Sequence, residues 1–369
     1  MGAEEHTWSP ELEAFHEEIE RYYLGPLWAV IQGVITKEPA TDAVPYLWKW
    51  SVIRERVLRS GELVTPERGG ERRVIYLENP GLKAKGIPMA ATRTLYAGIQ
   101  LLLPGEVAPS HRHIQGAIRF ILEGEKAYTT VEGEKVYMEK GDFILTPPWT
   151  WHDHGHEGTE PMMWMDGLDV PLLDRLKVSF FEPYPEDRHP VKYPPNYSAL
   201  RYAGGMMRPV GARRGEGGYP SSLILYTWEQ TQRALDRLSE LEADPCDGYA
   251  LEYINPNNGE SADARIGSWI QKLAPGMHTQ AHRHVSSAVY HVKEGRGYTV
   301  INGERFDWEA GDFFVVPPWA WHEHVNTGET EAYLFSINDR PVMEKLGLER
   351  EEAHPTGWQD VVRVFEPLR

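Results

Sequence analysis

The residues of this sequence best suited to chemistry are histidines at strand spacing. His111 and His113 form an H-x-H pair. Residues two apart on a β-strand project to the same face, so both imidazoles point together while Arg112 points away. His152 follows the turn Pro147-Pro148-Trp149 one hairpin later, where a neighbouring strand would bring it beside them. Three neutral imidazoles converging in a barrel make a metal site with positions left open for substrate and water. A lone H-x-H reads better as interior histidines satisfied by hydrogen bonds. Here the pair follows G-x5, precedes a hairpin and P-P-W-x-W-H, and the whole arrangement recurs as His282, His284 and His322. Metal binding is the expectation for the first cluster and stays open for the second.

The elements that must position these residues come from a duplication. Gly141–His154 (GDFILTPPWTWHDH) and Gly311–His324 (GDFFVVPPWAWHEH) are identical at nine of fourteen positions. Gly105–His113 and Gly276–His284 share the form G-x5-H-x-H, and each pair lies about 170 residues apart in the same order. Tyr128–Val131 and Tyr298–Ile301 are β-branched and aromatic runs that end in the turn signals Glu132-Gly133 and Asn302-Gly303. The fold class is therefore all-β dominated: two tandem barrels of the jelly-roll kind, an N-terminal helical segment and short peripheral helices. Ser9-Pro10 can cap a first helix and Thr227 another. The boundaries read as a helical arm (1–65), a first, catalytic barrel (66–180), a linker and helix (181–245), a second barrel (246–345) and a tail (346–369).

Parity places further side chains. Continuing from His111 and His113 along one strand puts Gln115, Ala117 and Arg119 inward. A buried guanidinium needs an anionic partner. No acid shares that face locally, so a bound carboxylate is the expected partner, with a distant Asp or Glu as the alternative. His154 shares the inward parity of His152 and can move a proton, its ordinary pKa lying near 6.5. His156, between Gly155 and Gly158, reads as loop surface, and Asp153 points away. Tyr96, Gly98 and Gln100 share one face of the preceding strand. In the second copy Tyr290 stands where the first has Arg119, so that site reads as structural or vestigial. There Tyr290-His291, Trp319 and Trp321 read as packing against the first domain. Arg68 and Arg72, in ERGGERR, read from the residues alone as an exposed basic turn.

Composition removes several function classes. With 38 Lys+Arg against 55 Asp+Glu, the 369-residue chain carries a net charge of −17. That sign argues against nucleic-acid and anionic-membrane partners. The single cysteine, Cys246, rules out an intramolecular disulfide and suits a reducing compartment. The acidic N-terminus does not read as a signal peptide, and no apolar run approaches a membrane span. A cytoplasmic location is expected.

The two motifs resemble those of the cupins, G-x5-H-x-H-x3-4-E-x6-G and G-x5-P-x-G-x2-H-x3-N. Trp149 replaces a motif glycine, and the motif glutamate is absent from both copies, where Ala117-Ile118 and Ala288-Val289 stand. More of the chain is similar to the bicupin ring-cleaving dioxygenases for gentisate, salicylate and 1-hydroxy-2-naphthoate. The similarity includes PLWAVI near Pro26, VPYLWKWS near Trp48, RGGERR at Arg68, LYAGIQLLLPGE at Leu95 and WMDGLDVP at Asp166. The resemblance implies Fe(II) held by His111, His113 and His152, and dioxygen and a small aromatic hydroxy-acid as substrates. It implies carboxylate binding by Arg68, Arg72 and Arg119, a pocket wall of Tyr96 and Gln100, an orienting acid in Asp166, proton transfer by His154, and a homotetramer. TWHDHGH favours gentisate, opened between its carboxyl- and hydroxyl-bearing carbons to maleylpyruvate. Salicylate, a nitro- or amino-salicylate and 1-hydroxy-2-naphthoate are the alternatives. More distant ones are a zinc or manganese cupin isomerase or hydrolase and a non-enzymatic bicupin.

Overall fold

The computed structural model describes residues 8–64, 73–209 and 223–368. Residues 1–40 and 41–369 form separate compact units. In the first, the Ser9 hydroxyl accepts from Leu12 N and Pro10 opens the helix Pro10–Glu20, as the capping signal predicts. Among the described residues no helix is long and apolar enough to cross a membrane.

The strands of the first repeat are β1 (Tyr46–Trp48), β2 (Val74–Tyr76), β3 (Tyr96–Leu102), β4 (Val107–His113), β5 (Ala117–Glu123) and β6 (Ala127–Val131). They continue as β7 (Glu134–Met138), β8 (Phe143–Thr146), β9 (His152–His156), β10 (Met162–Leu168) and β11 (Phe181–Pro183). The second repeat contributes β12 (Leu225–Tyr226), β13 (Tyr249–Glu252), β14 (Gly267–Leu273), β15 (His282–His284), β16 (Ala288–Glu294) and β17 (Arg296–Ile301). It ends with β18 (Glu304–Glu309), β19 (Phe313–Val316), β20 (His322–Asn326), β21 (Ala332–Asn338), β22 (Glu351–Ala353) and β23 (Arg363–Val364).

Each repeat builds two sheets. The first uses β12-β8-β5-β10-β3-β2 and β11-β4-β9-β6-β7; the second uses β1-β19-β16-β21-β14-β13 and β22-β15-β20-β17-β18-β23. The hairpins β6–β7 and β17–β18 turn on Glu132-Gly133 (φ 48° and 90°) and Asn302-Gly303 (φ 49° and 78°), the left-handed pair that matches strand twist in a two-residue turn. One apolar cluster spans both repeats, with Phe120 stacked on Phe335 at 4.1 Å and Phe143 on Tyr253 at 4.4 Å.

The sheet edges are exchanged. β1, from the start of the first repeat, pairs with β19 of the second, and β12, from the start of the second, pairs with β8 of the first. The glycine–aspartate pair shared by both copies explains the docking of the helices that follow. Asp312 Oδ1 accepts from Trp50 N and Asp142 Oδ1 from Trp228 N, each at 2.8 Å. Gly311 (φ 96°) and Gly141 (φ 90°) leave the space that the Trp50 and Trp228 rings fill. Segments 181–183 and 351–353, outside the barrels by sequence, form edge strands beside the two H-x-H strands.

In the second copy Trp319 and Trp321 flank the Arg283 guanidinium at 4.3 and 4.5 Å, as Trp149 and Trp151 flank Arg112 at 4.5 and 4.4 Å. Tyr290 stacks inside its own barrel on Phe314 at 4.7 Å. His291 does reach the first repeat, its ring 5.8 Å from Phe120.

Candidate active site

Strand spacing delivers the first histidine cluster. His111 and His113 alternate with Arg112 on β4, and the antiparallel register sets His111 opposite His152 on β9. Ring centroids are 4.1 Å (His111–His152), 4.9 Å (His113–His152) and 5.3 Å (His111–His113) apart. One nitrogen from each ring lies within 4.8 Å of the others. The turn into β9 requires Trp149 at φ 62°, the left-handed conformation that a glycine would adopt without strain. Its N–H donates to the His113 carbonyl at 2.7 Å and its ring carries Arg112, contacts that offset a backbone cost of about 1–3 kcal/mol.

The protonation pattern is fixed by the backbone. Nδ1 of His111, His113 and His152 meets the carbonyls of Pro109, Gln115 and Thr150 at 3.0, 3.0 and 2.9 Å. A carbonyl only accepts, so each Nδ1 carries the proton and each Nε2 keeps its lone pair. His152 Nε2 is buried with no hydrogen-bond partner. Burial, then the neighbouring imidazoles, push His152 well below its ordinary pKa, which keeps it neutral. Converging Nε2 lone pairs oriented by Nδ1 hydrogen bonds are what a divalent metal needs from this donor set, and the residues fit one.

The cluster opens on a cavity of about 360 Å³, lined by Tyr96, Gln100, Arg119, His154 and Asp166 as well as the three histidines. Its other walls are Val74, Tyr76, Met89, Ala117, Leu168, Val170 and Phe181. Arg119 Nε stands 3.3 Å from Asp166 Oδ1, both side chains being less than a tenth exposed, and Asp166 sits directly across from Arg119 in the β5–β10 register. Trp164 Nε1 donates to Asp166 at 3.0 Å, and Arg119 Nη1 donates to the Thr146 hydroxyl. Of the two partners expected for Arg119, a bound carboxylate or a distant acid, the second is present: Asp166 lies on the neighbouring strand, which parity along a single strand does not reveal. Burial lowers the Arg119 pKa and Asp166 opposes that shift.

The remaining expected residues divide. Tyr96 folds back over its own strand, where any Cβ on Gly98 would collide with its hydroxyl, and burial raises its pKa so that the phenol keeps its proton. His154, on β9, sits with its ring 5.9 Å from His152 and 5.4 Å from Trp164. Gln115 is not an inward strand residue. β4 ends at His113 and β5 begins at Ala117, and Gln115 Nε2 donates to Ser179 Oγ at 3.1 Å. His156 is not loop surface; it is the buried last residue of β9, and its Nδ1 accepts from Gly158 N at 3.1 Å. Asp153 does point away, pairing with His189 Nδ1 at 2.7 Å. Arg68 and Arg72 lie outside the described residues. Sequence reasoning missed Phe181, whose ring stacks on His111 at 5.5 Å; it falls in what reads as linker, with no motif to mark it.

Two cupin-type barrels, one carrying a three-histidine centre against an arginine-lined cavity, define a bicupin with the makings of a metal-dependent oxidoreductase. The cupin domain model matches residues 98–170 and 269–338. The chain is 42% identical over 342 residues to gentisate 1,2 dioxygenase 1 of Aquipseudomonas alcaligenes, covering 92% of this chain and 96% of that protein. It is 41% identical to the 5-aminosalicylate 1,2-dioxygenase of Comamonas sp, covering 94% and 92% of the two. The crystal structure of the salicylate 1,2-dioxygenase from Pseudaminobacter salicylatoxidans superposes with a TM-score of 0.86 at 36% identity, over 94% of this chain and 99% of that one. The chain belongs to the bicupin ring-cleaving dioxygenases, the family of gentisate 1,2-dioxygenase.

Proposed function

We propose that the first barrel opens gentisate with dioxygen, between the carboxyl-bearing carbon and the adjacent hydroxyl-bearing carbon, to give maleylpyruvate, with Fe(II) held by His111, His113 and His152. The observation that carries this reading is the shared cavity, with three imidazoles on one wall and the buried Arg119–Asp166 pair on another. The salicylate 1,2-dioxygenase has been solved as adducts with gentisate, which supports a single-ring hydroxybenzoate. When bound, the ferrous ion would supply the redox chemistry between dioxygen and the electron-rich ring, so that no external reductant is needed.

The chain's own residues do the rest. Arg119, held by Asp166 and Thr146, receives the carboxylate, and Arg68 and Arg72 are assigned to the same group by the family resemblance. Asp166 keeps the guanidinium from turning away. Tyr96, its phenol protonated, donates a hydrogen bond from the wall it shares with Gln100. His154 exchanges a proton with the ring hydroxyl beside the histidine cluster. Met89, Leu168, Val170 and Phe181 keep water from the ring. The reading also carries a homotetramer in the cytoplasm, to be checked by sedimentation and cell fractionation.

The test is anaerobic reconstitution with Fe(II), followed by oxygen uptake with gentisate, salicylate, 5-aminosalicylate and 1-hydroxy-2-naphthoate. One dioxygen consumed per gentisate opened, with gentisate preferred, is the expected result. Preference for another acid would overturn the substrate. Turnover with zinc or manganese and no oxygen uptake would overturn the reaction.

A further inference from the structure

The second histidine cluster repeats the convergence of the first in different surroundings. His282, His284 and His322 bring one nitrogen each within 4.8 Å of one another, with ring centroids 4.2 Å (His282–His322) and 4.9 Å (His284–His322) apart. All three are buried. His284 Nδ1 donates to the Ser286 carbonyl at 2.7 Å and His322 Nδ1 to the Ala320 carbonyl at 3.0 Å. Their Nε2 atoms therefore keep lone pairs, as in the first barrel. His322 Nε2 is buried with no hydrogen-bond partner, and so is His282 Nδ1. Buried polar atoms left unpaired are costly and call for a missing partner.

The charge of the flanking sequence is reversed. Ahead of β2 the first repeat has the basic ERGGERR; ahead of β13, the matching strand, the second has ADPCDG at 243–248. Asp247 Oδ1 lies 4.0 Å from His282 Nε2. The carboxylate is not one of the three converging donors, but its charge lies close enough to neutralise a cation held by them. Where Arg119 stands in the first barrel, Tyr290 fills the space, its ring 5.1 Å from His324. The guanidinium whose charge reaches Asp247 and His284, that of Arg340, is itself paired with Glu344 and Glu351, so these surroundings suit a cation.

We propose that His282, His284 and His322, with Asp247 beside them, hold a second divalent transition-metal ion in a closed site that serves stability and not turnover. Three imidazoles and a carboxylate favour a borderline ion such as zinc or ferrous iron over calcium or magnesium. The site ties into the first repeat through the loop after His284. Asp339 accepts from Ser287 N at 2.6 Å and also from the Thr94 hydroxyl, two residues ahead of Tyr96. The proposal does not depend on which hydroxybenzoate the first barrel takes.

The test counts metal, independently of activity. The full-length protein, stripped of metal, is dialysed to equilibrium against Co(II), and bound cobalt is measured with its visible spectrum. Two equivalents per chain are expected in the wild type. One should remain in His152→Ala and one in His322→Ala, with distinct spectra. Asp247→Asn should bind the second equivalent about tenfold more weakly and, once loaded, melt at a lower temperature than the wild type. Should His322→Ala fail to fold, the wild type and His152→Ala decide the matter. A single equivalent in the wild type that disappears in His152→Ala overturns the proposal.

Discussion

Arg265 of the second repeat places its Nε 2.6 Å from Asp169 Oδ2 of the first and donates from Nη2 to the Ile114 carbonyl at 2.7 Å. Asp169 in turn accepts from Gly116 N at 3.1 Å. Between them lies Gln115, whose carbonyl orients His113. The loop that aims one member of the first cluster is thus gripped from the other barrel. Arg265→Met should weaken metal retention at the first centre about 10- to 100-fold, with Arg265→Lys recovering part of the loss. Gly116→Ala should act alike, since its Cβ would strike the Asp263 carboxylate. Chelator-competition kinetics measure this, and unchanged metal release from a folded Arg265→Met would refute the link.

Replacing a proposed ligand differs from replacing a proton carrier. His111→Ala, His113→Ala and His152→Ala should each lose iron and turnover together, because two imidazoles leave the ion under-coordinated. His154→Ala should retain iron and lose turnover, along with the acidic arm of the pH–rate profile. Iron content beside oxygen uptake separates the two cases. Parallel loss of iron in His154→Ala would make it a ligand.

Arg119→Leu should raise KM and lower kcat, since the carboxylate loses both attraction and orientation. Removing one partner of a buried charged hydrogen bond costs about 2–4 kcal/mol, roughly 30- to 1000-fold in kcat/KM. The change also strands Asp166 in the interior, so Arg119→Leu should melt early and the added Asp166→Asn should restore part of that stability without restoring kcat/KM. Steady-state kinetics and melting curves on both variants check the two halves of this statement.

Burial raises the pKa of Asp142, which accepts from Trp228 N and Glu139 N, to about 6. The folded chain therefore holds this proton more tightly than the unfolded chain, where the value is about 3.9. The associated stability is fully present below the unfolded value and is lost as pH rises through about 6. Wild type should thus lose stability relative to Asp142→Asn between about pH 4 and pH 6.5. Urea denaturation of the metal-free proteins across that range measures it, and a pH-independent difference would show that Asp142 titrates as it does in water.

The histidine triad was legible because its chemistry demands spacing that survives in one dimension. An i, i+2 pair on a strand and a Pro-Pro-Trp turn fix three rings whatever else surrounds them, and the duplicated turn signals fix the hairpins. Arg119 was placed inward correctly although β4 and β5 are separate strands, because each keeps its own parity. Its partner was harder. Asp166 meets it across a sheet, in a register set by packing and not by local sequence. His156 was misjudged because the glycines at 155 and 158 imitate a surface turn, whereas the Gly158 amide turns back to bond its ring. Phe181 was invisible for a related reason: an edge strand is defined by what it pairs with.

The exchanged edges β1 and β12 have a consequence for the chain as a physical object. Neither half owns all of the strands its barrel uses, so a fragment ending between the repeats would lack β12 at one sheet edge while leaving β1 without its partner. Each would present an unpaired edge shaped for the other, which favours reassembly of the severed halves over independent life. Residues 41–369 are two barrels in geometry but one unit in assembly, and the first histidine cluster inherits that interdependence.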